Sequence, residues 1–202
     1  HATTVAYEGP RTLTVYDKTQ GARNSADLVV NVFGLEEEKV QVLSPFVGGA
    51  FGSGLRPQYQ LFLAVMAALS MARSVRVTLT RDQMFTLGYR PDTLQRVALG
   101  ADGDGRLTSV IHDALAGTSR YEDFTETVVD WSGLLYRCAD VRLAHRLTQI
   151  DTVTPLDMRA PGGATGMYAL ETAMDELAYE VGLDPVELRL RNYAERDQNE
   201  DK

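Results

Sequence analysis

Two glycine-rich loops, each following a predicted strand and leading into a predicted helix, constrain this chain more than any other feature. The first occupies residues 48–54 and the second residues 159–166. Glycine lets the backbone approach a ligand closely, and such loops direct N–H groups and a helix start towards it. The first loop contains neither GxxxxGK[ST] nor GxGxxG, which disfavours a nucleotide P-loop. The residues alone leave two interpretations open: a cradle for an anionic or strongly hydrogen-bonding ligand, and two ordinary tight connections.

The first part of the chain predicts a hairpin followed by a helix. Apolar and polar residues alternate over residues 3–7 and 12–16, which indicates two strands joined by a tight turn. Apolar residues at helical spacing then predict a helix over residues 25–33. We expect Ser25 to cap its start and Gly34 to end it.

The first glycine-rich loop is predicted to lie between a short strand and a long apolar helix. Val40–Leu43 has the composition of a strand, and Pro57 suits the first turn of a helix that runs to about residue 73. This helix is apolar nearly all round, so we expect it to be buried on several faces. A further strand is predicted over residues 75–79.

The second part of the chain predicts another hairpin, a strand and two helices. Residues 94–99 and 107–116 alternate as strands, and the Asp-Gly pairs at 101–105 suit the turn between them. A strand over residues 141–150 precedes the second loop, and an apolar stripe predicts the helix that follows it. Asp184 is the expected cap of the last helix, with Pro185 at its first position.

This order of hairpins and helices predicts an α+β fold rather than a strictly alternating parallel one. We expect residues 1–202 to form one partial domain, with a division into two lobes at about 1–90 and 91–202.

Composition excludes several classes of protein. The net charge of −8 leaves no basic patch, so neither nucleic acid nor an anionic membrane is an expected partner. The single cysteine, Cys138, excludes an intrachain disulfide framework and any multi-cysteine metal site, and we expect a packed thiol. The three histidines are scattered, so we expect no residue of this chain to bind a metal directly.

Five motifs, in the same order, resemble the molybdenum-binding large subunit of the xanthine dehydrogenase/aldehyde oxidase family. The resemblance covers essentially all of the chain and implies an internal segment of a much longer subunit. The five stretches, in order, are Tyr16–Gly21, which is similar to the family's "STQ" turn; Pro45–Gly54, similar to its "GGxFG" loop; Thr80–Phe85, similar to "TREQMF"; Met158–Gly162, similar to "MRAPG"; and Ala173–Ala178 with Asp184–Arg189, similar to "AMDELA…DPVELR".

The resemblance implies roles for five residues. Gln20 matches the glutamine that hydrogen-bonds an oxo ligand of molybdenum, and Phe51 and Gly52 match the aromatic wall and the backbone N–H donor beside the metal. Gly49 would permit close approach of the cofactor. Arg159 matches the arginine that binds the pterin, for which a planar guanidinium with five donors is suited. Read alone, Gln20 is also a turn residue, Phe51 a hydrophobic plug and Arg159 a partner in a surface ion pair.

Departures from the family pattern narrow the expectation. Xanthine-oxidising members carry Lys-Glu after the first loop, where this chain has Gly54-Leu55, so a less polar aldehyde or heterocycle is the expected substrate. The family's glutamate base lies in a late Gly-Glu motif that has no match here, so the catalytic set of this segment is incomplete. Glu171 and Glu176 match helix positions of the family and are expected on a solvated face.

The resemblance therefore implies an oxidoreductase segment that binds a molybdopterin-type cofactor, with the cytosine dinucleotide as one form. The full protein would hydroxylate aldehydes or N-heterocycles with water as the oxygen source. Its expected partners are the remainder of the large subunit, iron–sulfur and FAD domains or subunits, and a small-molecule substrate. The expected compartment is the cytoplasm, with export to the periplasm as the alternative. Two other functions stay open: a non-catalytic cofactor-binding or assembly module, and a globular domain that binds a phosphorylated metabolite.

Overall fold

The computed structural model describes residues 1–198, and these divide into two compact units. The first unit comprises His1–Tyr89 together with Leu156–Met158. The second comprises Arg90–Pro155 and residues 159–198. The segment Leu156–Met158 joins the first unit by apolar packing, because Leu156 is buried against Leu79 and Leu87.

The first unit is a four-stranded sheet covered by two helices. β1 and β2 form the predicted antiparallel hairpin, β3 pairs parallel to β2, and β4 pairs antiparallel to β1, which gives the order β3-β2-β1-β4. The elements are β1 (Ala2–Gly9), β2 (Thr12–Asp17), α1 (Ala22–Phe33), a 3-10 turn (Glu37–Lys39), β3 (Val40–Leu43), α2 (Tyr59–Met71), β4 (Val75–Thr78) and α3 (Arg81–Met84).

Helix α1 begins earlier than the sequence predicts. Its N-cap is Gly21, and Ser25 lies inside the helix with its side chain buried, so the prediction of Ser25 as the cap is wrong. The Ser25 hydroxyl donates to the Thr19 Oγ1 atom at 3.3 Å instead of to solvent, which makes burial of this polar residue favourable. Gly34 ends the helix in the left-handed conformation, as predicted.

Helix α2 begins later than the sequence predicts, and it is buried on fewer faces. It begins at Tyr59 after an extended Gln58, so Pro57 precedes the helix rather than occupying its first turn. One face packs on the sheet and buries Leu61 and Val65 completely, whereas Leu63 is 44% exposed. Within this unit the helix has a single covered face, because the sheet lies on one side only.

The second unit is a three-stranded sheet with two helices. The hairpin of β5 and β6 is confirmed, and β7 pairs parallel to β6. The Asp102 carboxylate accepts N–H bonds from Asp104 and Arg106, which shapes the predicted turn. The elements are β5 (Thr93–Ala101), β6 (Leu107–Thr118), a 3-10 turn (Asp130–Gly133), β7 (Val141–Gln149), α4 (Gly163–Glu180) and α5 (Pro185–Asn192).

Helices α4 and α5 pack on this sheet through the predicted stripe. Leu170 and Met174 of α4 are buried with Leu188 of α5. Asp184 caps α5 by accepting the N–H groups of Val186 and Glu187, as predicted. The α+β fold is thereby confirmed, and within residues 1–198 we find no helix with the length and apolar character required to cross a bilayer.

Candidate functional site

Gln20 and the first glycine-rich loop form one hydrogen-bonded assembly in the first unit. The Gln20 Oε1 atom accepts the N–H of Gly52 at 3.0 Å and that of Gly54 at 3.1 Å. The Gln20 N–H in turn donates to the Gly54 carbonyl at 2.8 Å. Both bonds to the Gln20 side chain come from N–H donors, so the atom that faces the loop is the amide oxygen. The NH2 group of the same amide therefore points away from the loop. Gln20 is exposed, so that NH2 group is a fixed donor that faces out of the loop.

Thr19 anchors this assembly, a role that sequence reasoning missed. Its side chain is buried, donates to the Gly54 carbonyl at 3.2 Å and accepts the N–H of Gly21 at 3.0 Å. The Ser44 hydroxyl, just after β3, donates to the Thr19 carbonyl at 2.8 Å. The motif around Gln20 therefore joins the end of β2 to the glycine-rich loop through buried polar contacts.

The glycine-rich loop has an unusual backbone. Gly48, Phe51 and Gly52 have φ values of +66°, +53° and +105°, a conformation that non-glycine residues rarely adopt. A Cβ at Gly52 would lie 2.2 Å from the Asp157 carbonyl oxygen, so only glycine fits there. Within the described part of the chain, the N–H groups of Ala50 and Phe51 have no acceptor. The glycine-rich loop that holds the Gln20 amide thus also presents backbone N–H donors, among them those of Ala50 and Phe51.

Phe51 does not plug the loop from below. Its side chain is 68% exposed, and its ring lies 3.3 Å from where a Cβ on Gly49 would be. Phe51 and Gly49 border a cavity of about 500 Å³ in the first unit. The other residues on the walls of this cavity are His1, Lys18, Ala50, Ser53, Arg81, Met84, Phe85, Leu87, Gly88, Leu156 and Met158. The walls therefore combine apolar side chains with the cationic side chains of Lys18 and Arg81.

The charge of Lys18 is affected by its surroundings. Partial burial lowers the pKa of its amine, and the neighbouring Asp17 carboxylate acts in the opposite direction. Asp17 is itself buried and accepts the Thr3 hydroxyl, and burial raises the pKa of its carboxyl group. Asp17 is the last residue of β2 and Lys18 follows it directly, so both lie beside Gln20 in the chain.

The second glycine-rich loop belongs to the second unit and opens helix α4. Arg159 is exposed, and its guanidinium makes no hydrogen bond or ion pair with any residue that the structure describes. The expected alternative, a surface ion pair at Arg159, is therefore absent from this part of the chain. Ala160 and Gly162 have φ values of +54° and +68°. A Cβ at Gly162 would lie 2.5 Å from the Thr127 carbonyl carbon, so this loop too packs backbone on backbone.

The expectation of a solvated face at both Glu171 and Glu176 is wrong for Glu171. The Glu171 carboxylate accepts the Tyr136 hydroxyl at 2.6 Å and the Arg189 guanidinium at 2.6 Å. Burial and the adjacent carboxylate raise the pKa of the Tyr136 hydroxyl. Glu171 therefore joins α4 to α5, while Glu176 is exposed as expected. Cys138 is buried and free, as predicted.

A family profile described as "Molybdopterin cofactor-binding domain" matches residues 1–193. The chain belongs to this family.

Relatives of this molybdopterin cofactor-binding domain agree with the assignment. The chain is 36% identical over 193 residues to the aldehyde oxidoreductase molybdenum-binding subunit PaoC of Escherichia coli K12, a match that covers 95% of this chain and 26% of that relative. It is 28% identical to a probable xanthine dehydrogenase subunit of Bacillus subtilis, over 89% of this chain and 25% of the relative. The chain thus spans about a quarter of the length of these relatives.

Solved structures give the same result for the fold of the molybdopterin-binding domain. The aldehyde oxidoreductase of Desulfovibrio gigas matches with a TM-score of 0.84 and 25% identity, over 96% of this chain and 22% of that one. The quinoline 2-oxidoreductase of Pseudomonas putida 86 matches with a TM-score of 0.82 and 26% identity, over 95% of this chain and 26% of that one.

The residues present fit a molybdopterin cofactor chemically. Such a group carries acceptor oxygens and an anionic phosphate, so it needs donors and cations. The first unit offers the Gln20 NH2 group, the unpaired N–H groups of Ala50 and Phe51, and the cations that border the cavity. The Gly52 N–H, which the resemblance assigns to an oxo ligand, is already given to Gln20 Oε1.

Proposed function

We propose that this molybdopterin-binding domain holds the cofactor through Gln20, Gly49, Phe51, Gly52 and Arg159. The observation that carries the proposal is the pair of N–H bonds from Gly52 and Gly54 to Gln20 Oε1. These bonds fix the amide so that its NH2 group is the part left for a ligand. Gly52 then acts by holding Gln20 and by letting the loop pass Asp157, while Gly49 makes room for the Phe51 ring.

The chain's own contribution to catalysis is positioning and charge stabilisation. The Gln20 NH2 group would donate to an acceptor oxygen of the cofactor, and a neutral, preoriented donor stabilises negative charge that develops there. The exposed Phe51 ring would shield that side of the cofactor from water. The planar guanidinium of Arg159 would donate hydrogen bonds to pterin or phosphate oxygens. The bound cofactor supplies the two-electron redox chemistry.

We propose that the full protein hydroxylates aldehydes or N-heterocycles. For an aldehyde, the substrate and water give the carboxylic acid, two protons and two electrons, so water is the source of oxygen. The relatives named as aldehyde oxidoreductase and quinoline 2-oxidoreductase support these two substrate classes. Leu55 after the first loop cannot hydrogen-bond a purine, which favours a less polar substrate.

The remaining components belong to the parts of the protein beyond this chain. Iron–sulfur clusters and FAD on other domains or subunits would carry the electrons away, and the glutamate base would come from a later part of the large subunit. The cofactor would be the molybdopterin form or its cytosine dinucleotide form. We propose the cytoplasm as the compartment, with the periplasm as the alternative.

Two variants of the full-length protein test the residue assignments. Arg159→Ala is expected to lose molybdenum and pterin on dialysis faster than wild type, because its guanidinium is free to bind the cofactor and has no other partner among the described residues. Gln20→Ala is expected to keep the cofactor and lose turnover. Molybdenum by elemental analysis, pterin by fluorescence after oxidation, and aldehyde oxidation should be measured on the same preparations. Unchanged turnover in both variants would refute the site; cofactor binding without turnover in the wild-type protein would instead indicate a non-catalytic binding module.

A further inference from the structure

The loop that carries Arg159 is held by two residues of the second unit that the sequence motifs do not include. The Arg90 Nη2 atom donates to the Arg159 carbonyl at 2.6 Å, and the Nη1 atom of the same guanidinium makes a longer bond to the Ala160 carbonyl at 3.4 Å. One planar side chain thus binds two successive carbonyl groups of the loop. Arg90 is largely covered, with 27% of its side chain exposed.

Glu126 holds the other end of the same loop. Its carboxylate accepts the Gly162 N–H at 3.0 Å and lies 3.6 Å from the Arg90 Nη1 atom, and its side chain is fully buried. Carboxylates are rarely fully buried unless they are paired, and Glu126 is paired with the Gly162 N–H and the Arg90 guanidinium. Sequence reasoning could not place residues 121–130, which are polar and acidic and have no periodic pattern.

The loop conformation explains why two charged groups are needed. Ala160 has a φ of +54°, which costs free energy for a residue with a Cβ and persists only when the surroundings enforce it. The enforcing contacts here are a cation on the carbonyls of residues 159 and 160 and an anion on the N–H of Gly162. The loop backbone is thereby fixed, while the Arg159 side chain stays exposed and without a partner among the described residues.

We propose that Arg90 and Glu126 are positioning residues that fix the backbone of residues 159–162 so that the Arg159 guanidinium is preorganised for the pterin cofactor. This inference rests on the proposed function, because it requires that Arg159 binds the cofactor. It assigns to the unplaced segment around Glu126 the support of a binding loop. Residues that orient metal ligands from outside typically change metal affinity or activity by about 10- to 100-fold when they are replaced, and we expect an effect at the lower end of that range on pterin retention here.

The test compares full-length holoenzymes carrying Arg90→Lys, Arg159→Ala and both changes, with Arg142→Lys as the matched control. Lysine keeps the charge at position 90 but cannot bind two carbonyls with a planar fork. Arg142 also makes an ion pair, to Asp113 at 2.9 Å, but its side chain is 63% exposed and lies on β7. The quantity measured is the first-order rate of pterin release after dilution, followed by pterin fluorescence, together with the melting temperature.

We expect Arg90→Lys to release pterin about tenfold faster than wild type, and Arg142→Lys at the wild-type rate. The double variant should release pterin no faster than Arg159→Ala alone, because Arg90 acts through Arg159. A double variant whose rate is the product of both single effects would overturn the proposal, as would wild-type release from Arg90→Lys. Wild-type release from Arg159→Ala would instead refute the proposed site itself.

Glu126→Gln keeps the test decisive if Arg90→Lys fails to fold. Glutamine retains an acceptor for the Gly162 N–H but removes the attraction to Arg90. Its release rate should rise in the wild-type background and stay unchanged in the Arg159→Ala background. A rise of equal size in both backgrounds would show that Glu126 acts independently of Arg159 and would overturn the proposal.

Discussion

Two glycines of the first loop should respond very differently to alanine. Gly48 and Gly52 both have positive φ, +66° and +105°, so alanine is strained at either position. They differ in the space around them. A Cβ at Gly48 would meet nothing within 4 Å, whereas one at Gly52 would lie 2.2 Å from the Asp157 carbonyl oxygen and 3.1 Å from the Met158 Cα atom.

The expected loss of folding stability in each variant follows from the backbone conformation and from the steric overlap of the new Cβ. A left-handed conformation costs an alanine roughly 1–2 kcal/mol, which is the whole effect expected for Gly48→Ala. At Gly52 the φ value costs about 1–3 kcal/mol and the overlap with backbone adds about 1–3 kcal/mol, because the Asp157 carbonyl must move by more than 1 Å. Gly52→Ala should therefore destabilise the protein by about 4 kcal/mol, roughly 2–3 kcal/mol more than Gly48→Ala.

Urea denaturation of the full-length protein, followed by circular dichroism, measures this difference. The structure also predicts a local consequence: displacement of Gly52 breaks its N–H bond to Gln20 Oε1, so Gly52→Ala should lose turnover as well as stability. Equal denaturation midpoints for the two variants would refute the close approach of Gly52 to Asp157. Retained turnover in a destabilised Gly52→Ala protein would refute the link to Gln20.

Three further predictions concern the second unit. Gly166→Ala should cost about 3 kcal/mol or more, measured by urea denaturation, because its Cβ would lie 1.9 Å from the Val128 carbonyl oxygen. Burial lowers the pKa of His112, so folding stability should fall as the pH drops below the ordinary value of 6.5, and His112→Gln should flatten that part of a melting-temperature profile. Glu171→Gln should cost about 1–3 kcal/mol by weakening the ion pair with Arg189, and an unchanged melting temperature would contradict this.

The pH dependence of His112 has a clear structural basis. Its ring is completely buried, with Nε2 at 3.0 Å from Gln95 Oε1 and Nδ1 at 2.7 Å from the Ser132 hydroxyl. Because Gln95 Oε1 can only accept, Nε2 carries the proton and Nδ1 accepts from Ser132, which is the neutral ring. The unfolded chain takes up a proton below pH 6.5 more readily than this buried ring, so acid favours unfolding.

Elements with local signals could be predicted from the sequence. Asp184 and Pro185 mark the start of α5 by side-chain capping and a fixed φ, and neither depends on distant residues. The β5–β6 hairpin was predictable because Asp102 shapes its own turn. The Thr80 motif also has a local role, since Thr80 and Gln83 form a capping box at the start of α3.

Residues whose role depends on distant partners could not be predicted. Ser25 is a residue type that favours the N-cap. It lies inside the helix instead, where its hydroxyl donates to the Thr19 side chain on the preceding turn. In the sequence Glu126 resembles a solvated acidic residue, because its partner, the Gly162 N–H, lies 36 residues later in the chain. The roles proposed for Gln20 and Arg159 come from resemblance to a family, and the structure adds how the Gln20 side chain and the Arg159 backbone are held.

The crystal structure of the molybdenum-loaded full-length protein, with the metal located by anomalous scattering, tests the central claim most directly. We predict that the Gln20 Nε2 atom lies about 3 Å from an oxygen bound to molybdenum, with Gln20 Oε1 still accepting the Gly52 N–H. A metal bound well away from the Gln20 amide and the Phe51 ring would contradict the account.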